Sequence, residues 1–196
     1  MSIQYYQNNA DIFFENTVGV DMEELYQPFI SRLPKNALIL DAGCGSGRDS
    51  KAFISKGFRV DAFDASSEMV KRAKDLTGLD VQFKRFEEVD DVAHYDAIWA
   101  CASLLHVPEK ELATTFEVLS NALKSKGIFY VSFKLGENQR EKDGRIFTDM
   151  TEERLKKLLS NFLDLSVINI NLTEDKRPTR NEVWLNALLI KSVKHL

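Results

Sequence analysis

Residues 38–50, LILDAGCGSGRDS, constrain the fold more than any other stretch of the chain. The run ALILD at 37–41 is apolar without alternation, as in a strand buried on both faces of a parallel sheet. Gly43, Gly45 and Gly47 then alternate with small residues, so the backbone turns sharply and can approach a ligand closely. RDSKAFISKG follows with Ala52 and Phe53 inward on a helix that Gly57 ends. A strand, a glycine turn and a helix make the first half of a βαβ unit, and such a unit needs helices on both faces of its sheet.

The alternation continues. FRVDAFD at 58–64 is strand-like; Ser66 caps a helix over about 67–76, with Glu68 in its first turn. VQFKRF (81–86), YDAIWACA (95–102) and GIFYVSF (127–133) are the third to fifth strands, with a helix from Pro108 to about 124 between the last two. Thr151, followed by Glu152 and Glu153, opens another helix. LSVINI (165–170) and EVWLNALLI (182–190) have no helix between them, so they pair as an antiparallel hairpin at one edge. Residues of about 3–15 and 20–32 carry aromatics at helical spacing before Pro34. The expected fold is α/β: a doubly wound, mostly parallel sheet of seven strands with a C-terminal antiparallel edge hairpin. The 196 residues, 44% hydrophobic, suit one domain with a helical cap over 1–34 and a core over 35–196.

A net charge of −4 and a pI of 5.5 argue against a general nucleic-acid binder, since phosphate affinity needs concentrated Lys and Arg. Cys44 and Cys101 lie in apolar or glycine-rich surroundings and read as free thiols. MSIQYYQNNADIFFEN lacks the pattern of a signal peptide, and no apolar run approaches the ~20 residues of a membrane span. The expected protein is cytoplasmic, without nucleic-acid or membrane partners, and a monomer or weak homo-oligomer.

The glycine loop lies at the carboxyl end of its strand, where ligands of such sheets sit. Asp64 ends the second strand 17 positions after Gly47. Its carboxylate can accept two hydrogen bonds from the vicinal hydroxyls of a ribose. The alternative for Asp64 is a cap on the helix that follows, and the two roles can coexist. The dinucleotide pattern G-x-G-x-x-G fails because position 48 is Arg, and no Gly-Lys-Ser/Thr follows to make a P-loop.

LDAGCGSGRDS resembles motif I of the class I S-adenosylmethionine-dependent methyltransferases, and VDAFDAS their second motif. LKSKGIFYVSF is similar to their segment before the fifth strand, although it lacks the usual Pro and one Gly. YDAIWACASLLHV is similar to the segment where small-molecule methyltransferases carry a Leu-His pair. The resemblance covers about residues 35–135, and the DAGCGSGR core is most similar to tellurite-resistance-type and related bacterial methyltransferases. It implies a Rossmann-like fold, S-adenosylmethionine as cofactor and S-adenosylhomocysteine as product. It further implies that Asp41 steadies the loop and reaches the methionine amino group, and that Gly43 and Gly45 lie against methionine and ribose. By the same resemblance Asp64 takes the ribose hydroxyls, while Ala65, Met69, Phe86 and Glu87 border the adenine. Ala102 lines the methionine arm; in a lid over the cofactor, Tyr6 and Thr17 point hydroxyls at the methionine carboxylate, and Arg48 adds charge.

Methyl transfer from a sulfonium is an in-line displacement that needs alignment and dryness rather than a protein nucleophile. His106 follows the fourth strand at the ligand-facing edge and is the candidate catalytic residue; its alternative is packing under the next helix. His94 reads as loop and His195 as tail, and no metal-ligand cluster is visible. The aromatics Tyr5, Tyr6, Phe13, Phe14, Tyr26 and Phe29 are core or lid. Residues 135–149 read as a mobile loop over the site or a plain connection. Lys134, Arg145, Arg177 and Arg180 are expected at the mouth of the site as contacts for an anionic acceptor. The function read from the chain is therefore methyl transfer to a small molecule. Its rivals are a non-catalytic S-adenosylmethionine-binding module and an NAD(P)-binding reductase; the latter lacks its third glycine and a Tyr-x-x-x-Lys.

Overall fold

A computed structural model describes residues 2–177 and 180–193. Helices α1 (Ser2–Asn8), α2 (Ala10–Val18) and α3 (Glu23–Ile30) precede β1 (Leu38–Ala42). Then come α4 (Arg48–Ser55), β2 (Arg59–Asp64), α5 (Ser67–Thr77), β3 (Gln82–Phe83), β4 (Tyr95–Ala100) and α6 (Glu109–Ala122). β5 (Leu123–Lys134), β6 (Gln139–Lys142), β7 (Arg145–Thr148), α7 (Glu152–Leu159), β8 (Leu165–Glu174) and β9 (Val183–Lys191) complete the order.

Seven strands form one sheet in the order β3-β2-β1-β4-β5-β9-β8. All neighbours from β3 to β5 are parallel, and β9 runs antiparallel to both β5 and β8. The expected doubly wound sheet with its edge hairpin is what forms. The strand order reverses between β1 and β4, which opens a crevice at their carboxyl ends.

The two faces of the sheet are buried differently. On one, Phe116 and Leu119 of α6 pack with Ile98, Phe129 and Val131. On the other, Tyr26, Phe29 and Phe53 surround Trp99, whose indole stacks on Tyr130 at 3.8 Å and 11°. α3 is thus a structural layer of the core, so the expected 1–34 cap narrows to α1 and α2.

Three other expectations change. The single helix over about 3–15 is two, because Asn9 leaves helical geometry and its side chain donates to the Tyr5 carbonyl at 2.9 Å. The third strand keeps only Gln82–Phe83, because Arg85 turns out of the sheet and its N–H is capped by Glu88 at 2.7 Å. Residues 135–149 are not a structureless loop. β6 and β7 form a hairpin whose turn residues, Asp143 and Gly144, both have positive φ (52° and 70°), the requirement of a tight two-residue connection.

A candidate cofactor and acceptor site

The carboxyl ends of β1, β2, β4 and β5 open into a cavity of ≈ 420 Å³, roofed by α1, α2 and the β6–β7 hairpin. The glycine loop forms one wall. Gly43 has φ +78°, and a Cβ there would stand 2.6 Å from the Ser103 Cβ, so no side chain fits. Gly47, also at φ +78°, faces α5 so closely that a Cβ there would stand 3.0 Å from the Ala73 Cβ and 3.1 Å from its Cα, so α4 and α5 approach each other as the missing third dinucleotide glycine would allow.

Asp64 stands beside the loop. Its Oδ2 accepts from the Gly45 N–H at 2.9 Å and its Oδ1 from the Ser66 N–H at 2.8 Å. Each oxygen keeps a further lone pair for a ligand hydroxyl. Burial raises its pKa, while the Ser66 and Gly45 N–H groups pull it back. Ser66 also caps α5, accepting from the Met69 N–H at 3.3 Å, so binding posture and helix start are built together. Across the cavity Ala102 holds φ +52°, a left-handed conformation costly for a residue with a side chain, and its N–H is fixed by the Ser132 hydroxyl at 2.8 Å. The Ser103 hydroxyl oxygen is buried on the same wall with no hydrogen-bond partner among the described residues.

Of the residues expected at the cofactor, Tyr6, Thr17, Gly43, Gly45, Arg48, Asp64, Ala65, Met69, Phe86, Glu87 and Ala102 line this cavity. Three differ in detail. Asp41 is 2% exposed behind the loop and accepts from the Ser50 hydroxyl at 2.6 Å; it ties β1 to α4 and does not reach the cavity. The Thr17 hydroxyl donates back to the Phe13 carbonyl at 2.7 Å, the usual fate of a threonine inside a helix. Arg48 is held by Asp49 at 2.6 and 3.0 Å, so its charge is already matched.

Asp49 has no counterpart among the sequence expectations. It is buried and accepts from Arg48, from the Tyr26 hydroxyl at 2.6 Å and from the Trp99 indole N–H at 2.8 Å. Burial alone would raise its pKa, yet the Arg48 charge and these donors hold it below the ordinary carboxylate value. Burial and the Asp49 charge push Asp41 the other way.

His106 lies in a short turn, Leu104–His106, after β4. Its Nδ1 is 2.7 Å from the Ile146 carbonyl and its Nε2 2.6 Å from the Tyr6 hydroxyl. Burial lowers its pKa to about 4, with Arg145 and Lys134 adding to the effect against the Ile146 bond. Burial also raises Tyr6 to about 12, with Arg145 pulling the other way. The linkage has a definite sign. Between about 4 and the ordinary 6.5 the unfolded chain binds a proton that the folded chain refuses, so His106 contributes stability above that window and loses it as pH falls. Wild-type thermal stability should fall between pH 6.5 and 4, and His106→Asn should remove that part of the slope. Parallel slopes in melting curves of the two proteins would contradict it.

The expected acceptor cations Lys134, Arg145, Arg177 and Arg180 all line the same cavity, beside Phe147 and Trp184. They bring acids that the sequence reading passed over: Glu182 pairs with Lys134, Asp175 with Arg177 at 2.5 Å and Asp143 with Arg145 at 3.4 Å. His94 is exposed in its loop, with its ring edge against Tyr95, and His195 lies outside the described residues. Cys44 is buried and Cys101 partly so, and burial pushes the Cys101 thiol up to about 12. Among the described residues no three His, Cys, Asp or Glu side chains gather as for a metal ion, and no helix is long and apolar enough to cross a membrane.

Residues 39–127 match the model of the methyltransferase domain family. A 2-methyl-6-phytyl-1,4-hydroquinone methyltransferase from Synechocystis is 32% identical over 111 residues, 53% of this chain and 34% of its own. A ubiquinone biosynthesis O-methyltransferase from Xylella fastidiosa is 34% identical over 110 residues, 52% of this chain and 44% of its own. The match thus spans less than half the length of these relatives. An uncharacterised methyltransferase from Staphylococcus carnosus is 24% identical over 95% of this chain and 89% of its own. Among solved structures, the Burkholderia thailandensis 1,6-didemethyltoxoflavin-N1-methyltransferase, with bound 1,6-didemethyltoxoflavin and S-adenosylhomocysteine, has the same fold. Its TM-score is 0.77 at 22% identity, over 97% of this chain and 85% of that one. Sheet order, glycine loop and comparisons agree: residues 39–127 match the methyltransferase domain model, and the chain has a Rossmann-like fold shared with solved methyltransferases.

Proposed function

We propose that the protein binds S-adenosylmethionine and transfers its methyl group to a small-molecule acceptor. The observation that carries this reading is Asp64, whose two oxygens are aimed by Gly45 and Ser66 beside a loop in which Gly43 admits no side chain. The cavity fits such a cofactor: it offers a carboxylate for the ribose diol and a bare glycine backbone. Ala65, Met69, Phe86 and Glu87 are in reach of a base, and Arg48, Ala102 and the unpartnered Ser103 hydroxyl lie on the wall near the loop. When bound, the cofactor supplies a methyl group on a sulfonium. The protein's own part is to hold the acceptor in line and keep water out, which the α1–α2 roof and the hairpin do. The hydroquinone and the didemethyltoxoflavin named for two of the relatives are small molecules, which supports an acceptor of that class.

An anionic acceptor is the finer reading. Lys134, Arg145, Arg177 and Arg180 come from the end of β5, from β7 and from the turn before β9, yet meet at one end of the cavity. Arginine pairs bidentately with carboxylates and other oxyanions. An acceptor anion would share these cations with Glu182 and Asp175. Arg145→Ala or Arg177→Ala should raise the acceptor KM roughly 10- to 100-fold, the worth of one charged hydrogen bond, and leave S-adenosylhomocysteine affinity unchanged. Unaltered acceptor kinetics in both variants, or active acceptors that are all neutral, would refute this part.

The activity itself is tested by following S-adenosylhomocysteine release over a panel headed by phenols, carboxylates, thiols and tellurite. The last is included because of the resemblance to tellurite-resistance-type enzymes. Turnover supports the reading; tight cofactor binding with no turnover on any acceptor favours a non-catalytic binding module.

A further inference from the structure

Two short bonds in the cavity fix the state of His106. A carbonyl can only accept, so the 2.7 Å contact with Ile146 puts the ring proton on Nδ1. In the neutral ring Nε2 is then a bare acceptor, and the Tyr6 hydroxyl donates to it at 2.6 Å. Both side chains line the cavity; Tyr6 is within electrostatic reach of Asp64 and Arg145, and His106 of Arg145 and Lys134. Tyr6 is delivered by α1, which is fastened on both sides of the crevice. Its Gln7 side-chain Oε1 accepts from the Ser66 and Ser67 hydroxyls and the Glu68 N–H at 3.1–3.2 Å, and its Ser2 hydroxyl accepts from the Ile146 N–H at 3.0 Å. The same β7 residue, Ile146, therefore sets the histidine tautomer and anchors the helix that carries the tyrosine.

We infer that Tyr6 and His106 form a proton relay for a hydroxyl acceptor, in which the Tyr6 oxygen takes the acceptor's proton while its own passes to His106 Nε2. This rests on the methyltransferase reading above. The bond formed joins the acceptor oxygen to the methyl carbon. The bonds broken are methyl carbon to sulfur, whose electron pair stays on sulfur, and oxygen to hydrogen, whose pair stays on oxygen. The proton ends on Nε2 and leaves to water when the product departs.

A hydroxyl suits this pair for a physical reason. As its oxygen bonds carbon, the O–H turns strongly acidic, so a weak but uncharged base within hydrogen-bond reach is enough. The charged and titratable groups around the pair are Arg145 from β7, Lys134 from β5, Arg177 from the final turn, Asp64 from β2 and Tyr5 from α1. Burial, with Arg145 and Lys134 adding to it, keeps the imidazole neutral, and the three cations among these five disfavour an ammonium acceptor in the same place.

The test has a spectroscopic and a kinetic arm, both with S-adenosylhomocysteine affinity measured alongside. In the wild type labelled with 15N-histidine, His106 should show a protonated Nδ1 and a bare Nε2 at pH 7; an imidazolium or the opposite tautomer overturns the relay. With a phenol as acceptor, His106→Asn and Tyr6→Phe should each lower kcat by roughly 10²-fold or more. KM and cofactor affinity should stay nearly constant, and the loss should shrink as rising pH ionises the phenol. Unchanged kcat, a loss equal at every pH, or a set of active acceptors without a hydroxyl overturns it. Failure of the wild type to bind S-adenosylhomocysteine instead defeats the functional reading beneath it, and bound cofactor with no turnover on any acceptor defeats both.

Discussion

Asp49→Ala should destabilise the protein by roughly 3–5 kcal/mol, the range for breaking a buried ion pair from one side. Its carboxylate is 6% exposed and meets three donors from separate parts of the chain: Arg48 at the start of α4, Tyr26 on α3 and Trp99 on β4. Removing it strands the Arg48 guanidinium, whose side chain is only 19% exposed, and leaves the Tyr26 and Trp99 donors without their acceptor. Relief of Asp41, which the Asp49 charge now pushes up, returns part of the loss. For a chain of this length the melting temperature should fall by roughly 6–20 °C. Asp49→Asn, which keeps an acceptor but not the charge, should fall in between. A shift of under a degree or two in Asp49→Ala would mean that the three donors find other partners and that the network does not hold α3 to the sheet.

The second large effect is on binding. Asp64→Ala should lose two charge-assisted hydrogen bonds to the cofactor's ribose, roughly 2–4 kcal/mol, or about 30- to 1,000-fold in affinity. The Gly45 and Ser66 N–H groups that now aim the carboxylate lie beside the cavity and can turn to water, so stability should suffer far less than in Asp49→Ala. Melting curves of the two variants separate a lost ligand contact from a damaged fold.

What could be read from the sequence was what is local in sequence or set by apolar runs. β1, β4 and the later part of β5 are runs of buried residues, β2 alternates as FRVDAFD does, and the Ser66 and Thr151 caps form as their positions suggest. The glycine loop and Asp64 meet because parallel neighbours β1 and β2 end side by side. The features that stayed hidden depend on distance or on weak local signals. Asp49 reads as an acid in a first helical turn, a routine place for one, and its donors Tyr26 and Trp99 lie 23 and 50 positions away. The β6–β7 hairpin announces itself only by Asp143-Gly144, because QREK is polar throughout and its partner strand contributes little beyond Ile146 and Phe147. Arg177 and Arg180 were visible as cations, but Asp175 and Glu182 lie within the same turn and take up much of that charge. The link between Tyr6 and His106 spans 100 positions, and no periodicity in either segment forecasts it.

The identity of the ligand beside Asp64 is decided most directly by calorimetric titration of the wild type and Asp64→Ala with S-adenosylhomocysteine and with NAD. The wild type should bind one S-adenosylhomocysteine per chain and give no heat with NAD, and Asp64→Ala should bind the former about 30- to 1,000-fold more weakly. Equal affinity in the two proteins, or binding of NAD in place of S-adenosylhomocysteine, would contradict the assignment of this cavity.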